Sequence, residues 1–505
     1  MTVRTNNKVV VLSRNEIAVS FFKFWVDYRS DPIRINFPGD IYLDEMLILA
    51  NSLGYFKRPI SDKSFIFIHN DGNIISEVSP VNIKDHFFNH FLRDRTEPLV
   101  FNYEGVTVSV KAEKLREEFL NRAVRLFTEK TLEYLQTHDV PELRDTRNDS
   151  YFFYRDNIAQ VNTQGISIKS YSDFPELCIW RDHIMNRVLN LTHRYEESMY
   201  WHFIKNVAGE SQEKQDAFKT AIGYMLNNHN HPSKGQVVIC YDEVPSEAGN
   251  PMGGTGKGLF CNATKQMRNV LKVDGKKIRQ DDRFRFQGVT TRTQVFWLDD
   301  VHRDFPFEVL HSVSTDGWSI ERKFKDEFFI EPEKGPKIIL CSNTILSGSG
   351  TTNKRRQFIL EFSDFYSSLI STGAEEPIKE THGAIFFDND YWDDQEWAKF
   401  DSFMLHCSLF YHREGLKPYT QVGKEKSRLV QSTCKDFSEW ADEKLKANQD
   451  EFDSKNMFEN YIQETGDDIN QREFNRWISV YVEFNGWELK KRKSNGRNLM
   501  KFERR

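Results

Sequence analysis

Apolar residues recur along this chain with changing periods, and each change marks a new region. Leu115, Phe119, Ala123 and Phe127 stand four apart, the spacing of a helix with one buried face. A second helix is expected over Glu213–Leu226. A strand pair around Tyr151–Tyr171 interrupts the two, with Asn162-Thr163-Gln164-Gly165 as its turn. From Gly235 to about Phe362 short apolar runs alternate with helical stretches, the pattern of an α/β domain with a mostly parallel sheet. The first hundred residues read as a small mixed domain. Ser13 and Glu16 form a capping box for a helix Ile17–Tyr28, and Gly54 stops a helix Leu43–Leu53. Phe65–Ile68, then Asn70-Asp71-Gly72, then Ile74-Ile75 predict a hairpin. Ser371–Gly383 is polar, holds Pro377 and reads as a linker or loop.

The C-terminal end has the pattern of a winged helix. Asn470 and Glu473 supply a capped start for a helix through Phe474, Trp477, Ile478 and Tyr481. Two short strands follow, joined by Ser494-Asn495-Gly496-Arg497. The expected organisation is multi-domain α/β: a mixed α+β domain at 1–108, a mainly helical leader at 109–230, a P-loop ATPase core at 231–365, a helical extension at 366–430 and the winged helix at 431–505.

Composition narrows the class. The chain has 505 residues, 39% hydrophobic and 29% charged, so it is globular and long enough for several cores. Net charge is −6, so nucleic-acid contacts must come from local patches. One such patch is the C-terminal run Lys490, Lys491, Arg492, Lys493, Arg497, Lys501, Arg504 and Arg505; Lys493 and Arg497 are its chosen DNA contacts. The six cysteines are scattered, with no two within three positions, which argues against a zinc knuckle or redox pair. No signal-peptide core and no apolar run of membrane length is visible, so a cytoplasmic protein is expected.

The sharpest chemical signal is Gly253-Gly254-Thr255-Gly256-Lys257-Gly258, downstream of the apolar strand Val237–Tyr241. Glycines let backbone N–H groups turn inward around phosphates, and a lysine at the helix start reaches the outer ones. The pattern departs from the usual one twice. Pro251 stands where a glycine is usual, and Gly258 stands where a Ser or Thr hydroxyl usually holds Mg²⁺. About forty residues on, Val295–Leu298 runs into Asp299-Asp300. Asp299 is assigned to the metal and Asp300 to polarising the attacking water. A third strand, Lys337–Cys341, ends at Ser342-Asn343, with Asn343 placed to orient that water. Arg355 and Arg356 precede the strand Phe358–Leu360 and are candidates for an arginine reaching a neighbouring subunit's nucleotide.

These elements, in this order, resemble the superfamily 3 helicases, in particular the primase–helicase group of phages, viruses and mobile elements. The resemblance covers the central half of the chain. It implies an AAA+-like fold, ATP and Mg²⁺ as cofactors, a homo-oligomeric ring, a hexamer, and travel along single-stranded DNA. A separate primase is an expected partner, and origin duplex DNA a further ligand. It also implies a DNA-gripping hairpin at Asp316–Lys325, so that role is carried over to Lys323 and Lys325 and, less directly, Arg322.

Two other readings fit the same residues. A P-loop ATPase could remodel protein, or serve defence or packaging, without unwinding. Gly258 could instead mark a nucleotide-binding module that does not hydrolyse. His86 and His90 lie one helical turn apart but lack the glutamate of a zinc protease, and an amphipathic helix explains them. The acidic, aromatic run Asp388–Glu396 reads as a solvated face. Nothing in the sequence supports a primase acidic triad.

Overall fold

The computed structural model describes residues 2–5, 8–11, 25–27, 34–36, 43–62, 64–103, 106–231, 235–243, 254–302, 305–323, 325–343, 355–421, 429–430, 432–447, 451–494 and 497–503. Backbone contacts divide it into two units, Met1–Leu143 with Tyr171–Ile184, and Arg144–Ser170 with Met185–Arg505.

The first unit is built on antiparallel strands Tyr55–Ser61, Ser64–Asp71 and Ile74–Val78, with Ile179–Trp180 added in parallel to the last. The hairpin expected at Asn70–Gly72 forms, with Asp71 paired to Ile74. The helix Leu43–Ser52 ends before Gly54, whose φ of +87° suits glycine. A third helix, Ala112–Leu126, buries Leu115, Phe119 and Ala123 as their spacing predicts. The helix expected over Ile17–Tyr28 is not upheld at its end: Trp25–Asp27 is a strand paired with Arg34–Asn36. Val26 and Ile35 sit opposite each other there, so cross-strand pairing wins over the capping signal. Ser13 and Glu16 lie outside the described residues.

The second unit centres on a five-stranded sheet. Its strands are β1 (Val237–Asp242), β2 (Val270–Asp274), β3 (Val295–Asp299), β6 (Lys337–Cys341) and β7 (Gln357–Phe362). They lie in the order β2-β3-β6-β1-β7, and every pairing is parallel. The expected parallel α/β sheet is therefore present. β1, β3, β6 and β7 are almost wholly buried, as continuous apolar runs covered on both faces must be, while the edge strand β2 is only half-buried. Between β3 and β6 lie the helix Glu308–Asp316 and the hairpin β4 (Trp318–Arg322) and β5 (Lys325–Ile330).

One face of the sheet packs on helices Met199–Ala208, Gln212–Leu226 and Asp394–Glu414. Phe203, Phe218, Phe260, Phe362 and Phe400 are among the rings that fill this core. A buried ion pair, Arg187 to Asp401 at 2.6 Å, ties the Asp394–Glu414 helix to the segment before Met199–Ala208. The strand pair expected near Tyr151–Tyr171 proves to be three strands, Ser150–Tyr154, Ile158–Asn162 and Gly165–Lys169, with the turn at the expected Asn162–Gly165. The stretch read as a linker, Ser371–Gly383, contains a helix Pro377–His382 instead. Pro377 supplies the first helical position, where its missing N–H costs nothing.

At the C-terminus, helices Lys435–Ala447, Ser454–Thr465 and Gln471–Phe484 enclose an aromatic core of Phe437, Trp440, Tyr461, Phe474, Trp477 and Tyr481. Asn470 caps the last helix by accepting from the Glu473 N–H at 3.0 Å. Strands Glu488–Ser494 and Arg497–Glu503 pair as the expected hairpin, and Phe452–Asp453 adds a third strand. Among the described residues, no helix is long and apolar enough to cross a membrane.

Candidate nucleotide site

In an open parallel sheet, ligands settle beyond the carboxyl ends of the strands, where the order of connection reverses. Here the reversal falls around β1, with β6 on one side and β7 on the other. Beyond the strand ends lies a cavity of about 490 Å³, within the range of nucleotide-sized sites. Gly254, Thr255, Gly256, Lys257 and Gly258 line it from the loop, Asp299 and Asp300 from β3, and Asn343 from the end of β6. Three segments far apart in the sequence thus meet around one space. Gly253 lies outside the described residues, as does Pro251.

The loop works because it turns in ways only glycine accepts cheaply. Gly254 has φ +90° and Gly256 φ +98°. A Cβ on Gly256 would also stand 2.9 Å from the Phe203 ring, so the loop lies directly on the helical layer. From Gly256 a helix, α1 (Lys257–Lys265), begins, and Lys257, Phe260, Cys261 and Thr264 form its buried face. Its first N–H groups have no intrahelical partner and point toward the cavity end of the helix, the usual arrangement for receiving an anion.

Lys257 is 8% exposed and held from two sides. Its Nζ donates to Asn343 Oδ1 at 2.9 Å and to Asp242 Oδ1. Thr255 Oγ1 donates to the same Asp242 oxygen at 2.6 Å. The other Asp242 oxygen is buried and without a hydrogen-bond partner among the described residues. Asp242 ends β1 and escapes sequence reasoning; its only signal is an acid closing the strand before a glycine loop.

The two acids after β3 are also occupied. Lys272 Nζ lies 2.7 Å from Asp299 and 4.1 Å from the centre of the Trp297 ring. Lys276 is paired with Asp300, and that contact raises the lysine's pKa. Asp300 has φ +53°, a left-handed conformation that aspartate tolerates better than most non-glycine residues. It turns the chain sharply at the strand end, so that Asp299 and Asp300 both reach the cavity. Lys272 and Lys276 carry no sequence motif; Lys272 is brought there by the register of β2 against β3, and Lys276 by the turn Gly275–Lys277 that follows β2.

Gly258 faces open space: a Cβ there would meet nothing within 4 Å. Ile370, Pro377 and Ile378 close the cavity's far wall. Pro377 and Ile378 belong to the stretch that reads as a linker, which hides that wall from sequence reasoning. Behind Lys257, the thiols of Cys240, Cys261 and Cys341 lie within 4.8 Å of one another, although the sequence keeps them far apart. Burial pushes the Cys240 and Cys261 thiols up, so they pack as neutral groups between sheet and helix.

The remaining candidates lie elsewhere. Arg355 and Arg356 precede β7, and the Arg356 carbonyl accepts from Val237 N at the start of β1. They are thus at the end of the sheet opposite Lys257, and do not meet this chain's own cavity. Arg322 is part of the β4–β5 hairpin but donates to Val289 O at 3.1 Å and lies over the Phe328 ring at 4.5 Å, which fixes it against the fold. Lys323 is exposed at the hairpin tip. Lys325 begins β5, with its side chain outside the described residues. Lys493 is exposed on its strand, opposite Asn498. Arg497 begins the partner strand, its side chain likewise outside the described residues.

No protein-family model matches the chain, and no curated protein matches it in sequence. Among solved structures, the apo A form of the NrS-1 C-terminal region aligns over 90% of this chain and 98% of its own, at 11% identity and a TM-score of 0.40. A second apo structure of that region, residues 305–718, aligns over 90% of this chain and 97% of its own, at 11% identity and a TM-score of 0.37. A structure of Drosophila ORC bound to DNA aligns over 63% of this chain and 92% of its own, at 10% identity and a TM-score of 0.19.

Proposed function

We propose that this chain is an ATP-hydrolysing DNA motor of the superfamily 3 kind, working as a ring in the replication of a phage, virus or other mobile element. The observation that carries the reading is the convergence of Lys257, Asp299, Asp300 and Asn343 on one cavity at the strand ends. The donor set fits a triphosphate. Lys257 and the first N–H groups of α1 would hold the β- and γ-phosphates, with Gly254 and Gly256 letting the backbone approach. Asp299 would hold Mg²⁺, which, when bound, neutralises charge on the phosphates.

Asn343 would orient a water on the γ-phosphorus, and Asp300 would take its proton. The water oxygen then bonds to phosphorus, the bond to the bridging oxygen breaks, and ADP leaves with that electron pair. Both acids are held by lysines in the structure, so Lys272 and Lys276 must release them for this step. Arg355 or Arg356 would act at the neighbouring subunit's nucleotide. Lys323 and Lys325, with Arg322 as a brace, would follow the DNA strand. Lys493 and Arg497 would hold duplex through the C-terminal hairpin.

Phosphate release from ATP with Mg²⁺, with and without single-stranded DNA, tests this. DNA should stimulate the wild type. Lys257→Ala should lower turnover by about 10²-fold or more, the scale for losing one charged group at a transition state. Lys323→Ala/Lys325→Ala should keep basal turnover and lose the stimulation. Normal turnover in Lys257→Ala would sink the site assignment.

One observation favours a second reading. The loop has no hydroxyl at Gly258, and both acids are ion-paired. A module that binds ATP without releasing phosphate fits that, and ATP binding with no turnover under any DNA condition would establish it. Stimulation by a protein substrate, rather than DNA, would point to a remodelling ATPase.

A further inference from the structure

A larger concavity, about 840 Å³, opens at the opposite end of the same sheet. Lys337 lines it from the start of β6, and Arg355 and Arg356 from just before β7. Arg147, His229 and His412 approach from the surrounding layers. No carboxylate is among its described lining residues. Asp145, Asp149 and Glu333 act on its lysine and histidines from outside the lining, and Asp145 is already matched by Arg268 at 2.8 Å.

The fixed positive charge comes from the arginines, and Lys337 adds a buried amine. Lys337 is only 2% exposed. Its Nζ donates to the His229 carbonyl at 2.8 Å and lies 4.0 Å from the centre of the Tyr224 ring. Burial pulls its pKa down to about 7. One Nη of Arg356 is buried without a hydrogen-bond partner among the described residues. Three arginines face a concavity whose described lining holds no carboxylate, and an arriving anion offsets their mutual repulsion. Arginine forks match the paired oxygens of phosphate, and the volume exceeds what one phosphate needs.

We propose that this cleft binds a ligand carrying two or more adjacent phosphate groups, at a site separate from the glycine loop. The phosphates could come from a free nucleotide or from the backbone of a DNA strand. Arg355 and Arg356 stand at its rim, where they also serve the intersubunit role proposed above. Arg147 and Lys337 belong to the cleft alone, so they carry the test. Binding there does not require hydrolysis at the loop.

The probe is inorganic tripolyphosphate without Mg²⁺, titrated calorimetrically into the full chain. The wild type should bind two equivalents, and Lys257→Ala one. In the Lys257→Ala background, Arg147→Glu should weaken the remaining site by about tenfold or more, and so should Lys337→Met. Arg147 is exposed, so its substitution does not endanger folding. Displacement of the probe by a short single-stranded oligonucleotide would identify the strand backbone as the source; displacement by ATP alone would identify free nucleotide. The proposal is overturned if Lys257→Ala binds no tripolyphosphate, or binds it equally well with Arg147→Glu. Two equivalents surviving in Lys257→Ala would instead count against the loop, with the cleft still standing.

Discussion

Gly258 is where one added hydroxyl would tell the two proposed readings apart. A Cβ added at this position has no neighbour within 4 Å, so Gly258→Thr should fold normally. If Mg²⁺ is held without a protein hydroxyl, the substitution should lower the Mg²⁺ concentration needed for half-maximal turnover. If the wild type does not hydrolyse for want of that ligand, Gly258→Thr should start turnover, read as phosphate release. Lys337 couples stability to pH. Its folded pKa of about 7 lies below that of an exposed lysine, so the unfolded chain holds more protons between pH 7 and about 10.4. Stability from this group therefore rises with pH across that window, by up to a few kcal/mol, and is lost below it. Chemical denaturation of wild type and Lys337→Met should show the wild type gaining on the variant as pH rises from 7 to 10. A parallel pair of curves would mean that Lys337 keeps its charge.

Elements are legible in the sequence where their signal is local. The Gln471–Phe484 helix, its Asn470 cap and the hairpin after it, the strand Val295–Asp299 and the turn Asn162–Gly165 each declare themselves within a few residues. Elements that depend on distant partners do not. The strand Trp25–Asp27 needs Arg34–Asn36, and the helix Pro377–His382 is hidden by a polar, proline-bearing stretch. The same rule governs the site. The loop and the acids after β3 carry motifs, whereas Asp242, Lys272 and Lys276 meet Lys257, Asp299 and Asp300 only because the parallel strands and the turn after β2 bring them there. Gly317 shows how tightly one element can depend on a residue. It has φ +95°, and a Cβ there would stand 2.7 Å from the Ile330 carbonyl oxygen of the facing strand. Gly317→Ala should cost on the order of 1–3 kcal/mol locally and misplace the hairpin tip. DNA-stimulated turnover should fall while ATP binding, followed by fluorescence of a nucleotide analogue, stays near wild type. Intact stimulation would remove the hairpin from the DNA path.

The whole molecule sets its glycine loop and its two candidate arginines at opposite ends of one sheet. β1 has six residues, so its ends are separated by about 17–20 Å at the usual rise per residue. Lys257 lies at one end and Arg356 at the other, beyond any side chain's reach. If both act on one nucleotide, they must come from different copies. Mixing equal amounts of Lys257→Ala and Arg356→Ala, each inactive alone, should then restore about a quarter of wild-type turnover, because a quarter of head-to-tail junctions would pair two intact halves. Wild-type turnover of Arg356→Ala alone would place that arginine outside the reaction, and no recovery after co-assembly would rule out its action across a junction.

If Lys257 and Arg356 do act on one nucleotide, the length of β1 makes abundance a control on turnover. A solitary copy carries both halves of the machinery and can use neither on the other. Its specific activity should fall on dilution, with no inhibitor present, and return when the protein is concentrated. A protein built this way would stay silent while scarce and start once enough of it has been made.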